Sequence, residues 1–307
     1  LAVGDRPAVF AALACEALGL PGHPPAAARA SGDKLETRRR FAAAGLPGPA
    51  FCEVMLDSAL DAVRPGFEFP CVVKPLALSG SRGVIRADDP ETLHAALERV
   101  QRLLSRPDIR ARRDPSDDRV VLEAFIPGRE YALEGVVEDG TLRVLAVFDK
   151  PNPLDGPFFE ESIYVTPSAQ SAAEQRRMEQ AVADAVGALG LRHGPVHAEC
   201  RVNEVGVFVL EVAARPIGGL CSQVLRFQGP GDVVLPLEGL LLRHALGEPL
   251  SGYRRETDAS AVMMIPIPGA GTLRKVRGIK AARSVLGIDD VTISIPAGQE
   301  LVPLPEG

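Results

Sequence analysis

The stretch Gly194 to Gly219, GPVHAECRVNEVGVFVLEVAARPIGG, holds two carboxylates, Glu199 and Glu211, on either side of an expected hairpin. If Glu204-Val205-Gly206 forms a three-residue loop with Gly206 left-handed, Asn203 faces Val207 and Glu199 lies directly opposite Glu211. Side chains so opposed have Cβ atoms about 5 Å apart, and at an effective dielectric of about 20 their charges repel by roughly 3 kcal/mol. Such a pair calls for a cation or a shared proton. An all-oxygen site with few protein ligands suits Mg²⁺, which keeps several waters and takes further ligands from nucleotide phosphates. The alternative is a solvated hairpin whose carboxylates diverge or pair with Arg201.

Other residues pose the same kind of choice. Arg215 precedes Pro216-Ile217-Gly218-Gly219, where bare backbone can approach a phosphate or acyl phosphate; otherwise it is a surface Arg beside a turn. Lys74 ends the apolar run Cys71-Val72-Val73, so either an anion satisfies it or its side chain snorkels from the strand end. Five residues later Ser79-Gly80-Ser81-Arg82-Gly83 can present several N–H groups to an anion, although it is not a Walker A loop. Lys34 sits in the first turn of a helix, where the macrodipole disfavours a cation, so helix energetics do not explain it. Glu123 and Glu130 bracket Ala124-Phe125-Ile126-Pro127-Gly128. This bend either pairs with an adenine edge and ribose hydroxyls or is a loop with two solvated acids. His197 reads as a hydrogen-bonded core residue rather than a ligand beside Glu199. Neither a G-x-S-x-G elbow nor a recognisable cysteine nucleophile is present.

The elements that must position these residues follow from periodicity and punctuation. Helices are expected at Pro7 to Leu20, Lys34 to Ala44, Pro90 to Leu104, Ala172 to Leu189 and Val233 to Leu246. Asp33 and Glu36 form a D-x-x-E start for the second, and Pro21 to Ala30 reads as a connector. Strands are expected at Phe69 to Pro75, Val84 to Ala87, Arg119 to Phe125, Glu130 to Val137, Leu142 to Asp149, Phe158 to Val165, Pro195 to Val202 and Val207 to Ala213. Asp139-Gly140 is a hairpin turn, and Arg106 to Asp118 a charged loop. From about Tyr253 the chain is β-rich and broken by Pro and Gly. The class is α+β, with too many strands for a plain βαβ array.

Composition narrows the function. The 307 residues carry 34 basic and 40 acidic groups, net −6, with 46% apolar residues, 5% aromatics and no Trp. No basic stripe or stacking platform suits nucleic acid, and no apolar run nears the roughly 20 residues of a membrane helix. Cys15, Cys52, Cys71, Cys200 and Cys221 are odd in number and scattered, which suggests no disulfide framework or zinc knuckle and fits a reducing cytoplasm. Of the basic residues only 34, 74, 150, 275 and 280 are Lys, so a Lys in an apolar strand needs a reason. The chain opens at Leu1 inside a plausible fold and is expected to be a fragment.

In order, these pieces resemble the ATP-grasp superfamily, and within it carboxylate-amine ligases of the L-amino acid ligase type. The resemblance rests on Asp33-Lys34, Val73-Lys74-Pro75, the Ser79 to Gly83 loop, Glu123-Ala124-Phe125-Ile126 with Gly128-Arg129-Glu130, and His197-Ala198-Glu199 with Glu211 to Gly219. It implies two α+β subdomains clasping ATP between antiparallel sheets: a remnant of an N-terminal domain (1–64), a small subdomain with the glycine loop (65–126), a large subdomain with the metal and substrate site (127–250) and part of a β-rich C-terminal unit (251–307). It further implies that Lys34 and Lys74 contact phosphates under Ser79, Gly80, Ser81 and Gly83. Glu123, Ala124 and Ile126 would hold adenine, Glu130 ribose, and Glu199 and Glu211 Mg²⁺, with Mn²⁺ an acceptable substitute. Arg215, Gly218 and Gly219 would face the acyl phosphate, with Lys74 and Arg215 acting in catalysis, and Lys150 and Glu160 would face substrate. Many members place Asn two residues after the second metal Glu; Ala213 stands there, leaving the count of magnesium ions at one or two. The implied activity is ATP-dependent amide or peptide bond formation through an acyl phosphate. Small-molecule carboxylates and amines are the implied partners, and a homodimer is compatible. The alternatives are a biotin-carboxylase-like or purine-pathway ligase, and a nucleotide-binding module without catalysis.

Overall fold

Three helices open the chain in the computed structural model, which describes residues 1–57 and 59–307. The first, α1 (Asp5–Leu18), stops where Gly19 turns left-handed. Within the expected connector, α2 (Pro25–Ser31) forms because Pro at its start is already helical in φ and Ala27, Ala28 and Ala30 are small enough to bury in the main core. At the head of α3 (Lys34–Ala43) the Asp33 carboxylate accepts from the Leu35 and Glu36 N–H groups, while Glu36 pairs with Arg40 instead of reaching back.

The first antiparallel sheet has the order β1-β4-β2-β3, from β1 (Phe51–Met55), β2 (Cys71–Pro75), β3 (Ile85–Ala87) and β4 (Arg119–Ala124). Between β3 and β4 runs α4 (Pro90–Leu104), started by an Asp89–Thr92 capping box. It buries Leu93, Ala96, Leu97, Val100, Leu103 and Leu104, the spacing of a single helical face, onto Cys71, Val73 and Ile85. The expected charged loop contains one short helix, α5 (Pro107–Arg110). Because β1 pairs with β4, residues 51–55 belong to this sheet.

The larger sheet has the order β13-β7-β6-β5-β8-β9. Its centre is the hairpin of β5 (Arg129–Glu138) and β6 (Thr141–Asp149), closed by Asp139 and Gly140 with φ of 48° and 85°, a turn whose twist suits the strands. Beside it lie β7 (Ile163–Thr166), shorter than expected, and, after α6 (Ala172–Leu189), β8 (Gly194–Val202) and β9 (Val207–Ala213). One face of the sheet is sealed by α6, whose Met178, Val182, Val186 and Leu189 pack on Leu133, Ala198 and Val212. The expected helix at Val233 starts only at α7 (Leu237–Ala245), because Pro236 ends a short strand, β11 (Val234–Pro236), paired with β10 (Arg226–Gln228). After β12 (Arg254–Arg255), β13 (Ser260–Met263) joins the edge of the large sheet. The chain ends near the small sheet, where Pro305 accepts from the Gly83 N–H and Glu306 pairs with Arg99. Among the described residues no helix is long and apolar enough to cross a membrane.

Candidate active site

Strand register builds the site. Glu199 faces Glu211 across β8 and β9, but by a different route from the one expected. The turn is an Asx-type loop in which the Asn203 carboxamide oxygen accepts from the Val205 and Gly206 N–H groups, and Gly206 does not adopt positive φ. Val202 therefore faces Val207, one residue out of the expected register, and a bulge at Leu210 restores the alignment at Glu199. Glu130 on β5 faces Arg201, Ala132 faces Glu199 and Glu134 faces His197. Paired residues share a face, so Glu130, Glu134, His197, Glu199, Arg201 and Glu211 all project from the side of the sheet opposite α6.

That face forms one wall of a cleft of about 440 Å³. The small sheet and α3 supply the opposite wall, where Lys34 and Lys74 both line the cleft. The Lys34 ammonium donates to the Leu78 carbonyl at 2.7 Å and lies 3.8 Å from Glu211, joining the glycine loop to the acidic strand. Lys74 neither snorkels nor stands alone, because its Nζ is 2.7 Å from Glu123 Oε2. Glu123 in turn takes Arg38 through both oxygens, at 2.7 and 3.3 Å. It is neither a solvated loop acid nor a residue free to meet ribose. Burial works against its charge, but Arg38 and Lys74 outweigh that and bring its pKa down to about 2. Since Arg38 already shares Glu123, burial prevails at Lys74 and lowers its pKa.

At the mouth of the cleft, Ser79, Gly80 and Ser81 form a turn with φ of 65° and 56° at its two central residues. Gly83 does not line the cleft: a Cβ there would lie 2.6 Å from Pro75 Cγ, so this glycine allows close packing under the loop. Ala124, Phe125 and Ile126 do line it, although the Ile126 carbonyl already accepts from Arg201 at 2.7 Å. Arg215, Gly218 and Gly219 close the far end, with Arg215 held by Asp5 at 2.7 Å.

Lys150, expected to face substrate, is buried and does not line the cleft; its Nζ sits 2.8 to 2.9 Å from Glu130, Glu161 and Glu199, which do. Glu130 lines the cleft, and its carboxylate pairs with Lys150 and Arg201. Glu160, expected to face substrate, is exposed and outside the cleft, whereas its neighbour Glu161 lines it. Burial, reinforced by the Glu199 and Glu130 charges, lifts Glu161 to about 7. Glu199 shows the opposite balance: burial opposes ionisation, but Lys150 and His197 hold it below the usual carboxylate range. His197 lines the cleft with its imidazole 3.5 Å from both Glu134 and Glu199. Burial opposes its protonation, and those two carboxylates outweigh it, raising the pKa to about 9.

The three carboxylates around Lys150, with Arg201 on Glu130 and His197 3.5 Å from Glu199 as further cationic partners, each bring an oxygen within 4.8 Å of the others. Together with Glu211, this donor set is all hard oxygen, which fits Mg²⁺. Sequence pattern alone does not single out Arg38, Glu134 or Tyr164, which lines the cleft and whose hydroxyl donates to Glu161 at 2.6 Å, and it offers Arg201 only as a pairing partner. For Glu134 and Arg201 the detectable signal is a charged residue at an inward position of an apolar strand, as in the run Tyr131 to Val137.

The sequence pattern of the family described as the ATP-grasp domain matches residues 67–224. A solved L-amino acid ligase from Bacillus licheniformis is 30% identical, superposes with a TM-score of 0.80 and covers 97% of this chain and 70% of its own. The uncharacterized protein y4rH of Sinorhizobium fredii is 27% identical over 289 residues, 94% of this chain and 57% of that protein. D-alanine–D-alanine ligase B of Chromobacterium violaceum is 29% identical over 217 residues, 69% of this chain and 66% of the ligase. The chain thus spans less than two thirds of the length of either curated relative.

Proposed function

Because the chain belongs to the ATP-grasp domain family, we propose that it joins a carboxylate to an amine at the expense of ATP, with amino acids as substrates. One observation carries the reading: an opposed pair of acids, Glu199 and Glu211, confronts two lysines, Lys34 and Lys74, across a single cleft. Opposite charges so placed suit a triphosphate gripped by ammonium groups on one side and by metal-bridged carboxylates on the other. The ligases named above support the choice of amide chemistry.

In this reading a substrate carboxylate oxygen attacks the γ-phosphorus, the bond to the β,γ-bridging oxygen breaks, and ADP leaves with that electron pair. The amine nitrogen of the second substrate then attacks the acyl carbon. The carbon–oxygen bond to phosphate breaks, and the nitrogen gives up a proton to yield amide and inorganic phosphate. Lys34 and Lys74 hold the phosphates, with Glu123 fixing Lys74, while Ser79 to Ser81 cover them. Ala124 to Ile126 offer backbone to the adenine edge, and Arg215 with Gly218 and Gly219 face the acyl phosphate. Glu199 and Glu211 would hold Mg²⁺, or Mn²⁺ in its place, which when bound neutralises charge on the triphosphate. Because water competes with the amine, closure of the Ser79 to Ser81 loop protects the intermediate.

The test is phosphate release from the purified chain on pairwise mixtures of amino acids, with mass spectrometry of the products. Release that requires two amino acids together and yields a dipeptide supports the reading. ATP binding without release across the full panel overturns it.

A further inference from the structure

Glu134 is 0% exposed and does not line the cleft, although its neighbours His197 and Ile217 do. A carboxylate at such a depth is costly unless it is well partnered. Its partnering is uneven: Oε2 accepts the Ile217 N–H at 2.9 Å and lies 3.5 Å from His197 Nδ1, while Oε1 is buried with no hydrogen bond. Its neighbours on the same strand face, Ala132 and Val136, are apolar and belong to the core with Phe148 and Ile217. An apolar side chain would fit this position, so packing does not account for the carboxylate.

What the carboxylate does is join two parts of the site. His197, directly across the strand pair, lies two residues from Glu199 on β8. Ile217 lies 83 residues away in sequence, between Arg215 and Gly218. The aim of Glu134 follows from the unbroken register of β5 with β8, while the other neighbour, β6, bulges at Leu145 beside it. We propose that Glu134 is a positioning residue that ties the Arg215 to Gly219 segment to the β8 strand bearing Glu199, setting the distance between the acyl-phosphate end of the cleft and its acidic wall. This rests on the ligase reading for its catalytic consequence but not for its structural one.

The experiment compares wild type, Glu134→Gln and Glu134→Leu as full chains. Glutamine still accepts the Ile217 N–H, whereas leucine fills the space and cannot. Amide hydrogen exchange at Ile217 and steady-state ADP release are read together. The expected result for Glu134→Leu is a folded chain with Ile217 exchange at least about 10-fold faster and kcat lower by about 10-fold or more, at a KM for ATP within about twofold. Glu134→Gln should recover both to within about threefold. Unchanged Ile217 exchange in Glu134→Leu, a kcat equal to wild type, or a Gln variant as impaired as Leu would each overturn the proposal. If wild type itself releases no ADP, the ligase reading fails, and Ile217 exchange still decides the positioning role.

Discussion

Replacing Arg38 by Met removes a guanidinium that is 2% exposed and tied to two sheets at once. It donates to Glu123 Oε1 at 2.7 Å and Oε2 at 3.3 Å on β4, and to the carbonyls of Val209 and Leu210 at 2.8 and 2.7 Å on β9. Those two carbonyls lie at the Leu210 bulge that aligns Glu211 with Glu199. Methionine refills much of the volume but leaves Glu123 with Lys74 as its single cation and the carbonyls without their donor. Breaking a buried pair from one side costs about 3–5 kcal/mol. The depression of Glu123 from 4.5 to about 2 gives a similar figure for its whole environment, roughly 3 kcal/mol. Because the folded pKa lies below the unfolded one, this stability is present above pH 4.5 and is lost as pH falls towards 2. Urea unfolding followed by circular dichroism at pH 7 should therefore show Arg38→Met less stable by about 3 kcal/mol. Its stability should also change less than that of wild type between pH 4.5 and pH 2. The double variant Arg38→Met/Glu123→Gln should lose less than the sum of the single losses, by about 1–3 kcal/mol, since the stranded charge is gone. A loss below about 1 kcal/mol for Arg38→Met, or strict additivity in the double variant, would refute the reasoning.

Glu211→Ala should lower magnesium-dependent ADP formation by about 100-fold or more while leaving the circular dichroism spectrum unchanged; full turnover would remove Glu211 from the metal site. Glu160→Ala should leave kcat within about twofold of wild type, whereas Glu161→Gln should lower it by at least about 10-fold, because only Glu161 lines the cleft; equal effects would reject that orientation. His23 accepts the Arg192 N–H through Nδ1 and has Nε2 3.1 Å from the Pro195 carbonyl, an arrangement that requires the neutral ring. Burial lowers its pKa from 6.5 to about 4, so roughly 3 kcal/mol of stability present above pH 6.5 should fade as pH falls to about 4. Urea midpoints across that range should fall less in His23→Gln than in wild type, and parallel curves would exclude His23 as the cause. Gly128→Ala should destabilise the chain by more than about 3 kcal/mol, since φ is 125° and the new Cβ would lie 2.4 Å from the Val202 carbonyl oxygen; thermal unfolding at the wild-type temperature would disprove the clash.

Much of the scaffold is legible in local pattern. The spans of α4 and α6 follow from apolar spacing and from the Asp89 and Ser171 caps, and β9 from its alternation between turn signals. The misses have specific causes. Ala-rich α2 has no polar face to announce it, and β1 is short and half-buried, so each becomes regular only by packing on something distant. Pro236 was read within an apolar helix, although it ends the strand before one. The Glu199 to Glu211 alignment was anticipated on an assumed loop and register that the structure replaces with an Asx turn and a bulge.

The types of residue available for chemistry, and the strands and helices that bear them, were determined by the sequence through interactions within a few residues. Caps, turns and periodic faces are short-range, so they can be read from the chain alone. Pairing between distant charges was decided only in three dimensions. Arg38 meets Glu123 across 85 residues, Lys150 draws together Glu130, Glu161 and Glu199, and Glu134 reaches Ile217 across 83. A one-residue change of register turns a strand's side chains to the other face, and a single bulge restores them. No local pattern records where such a shift falls, so the identity of each buried carboxylate's partner belongs to the folded molecule.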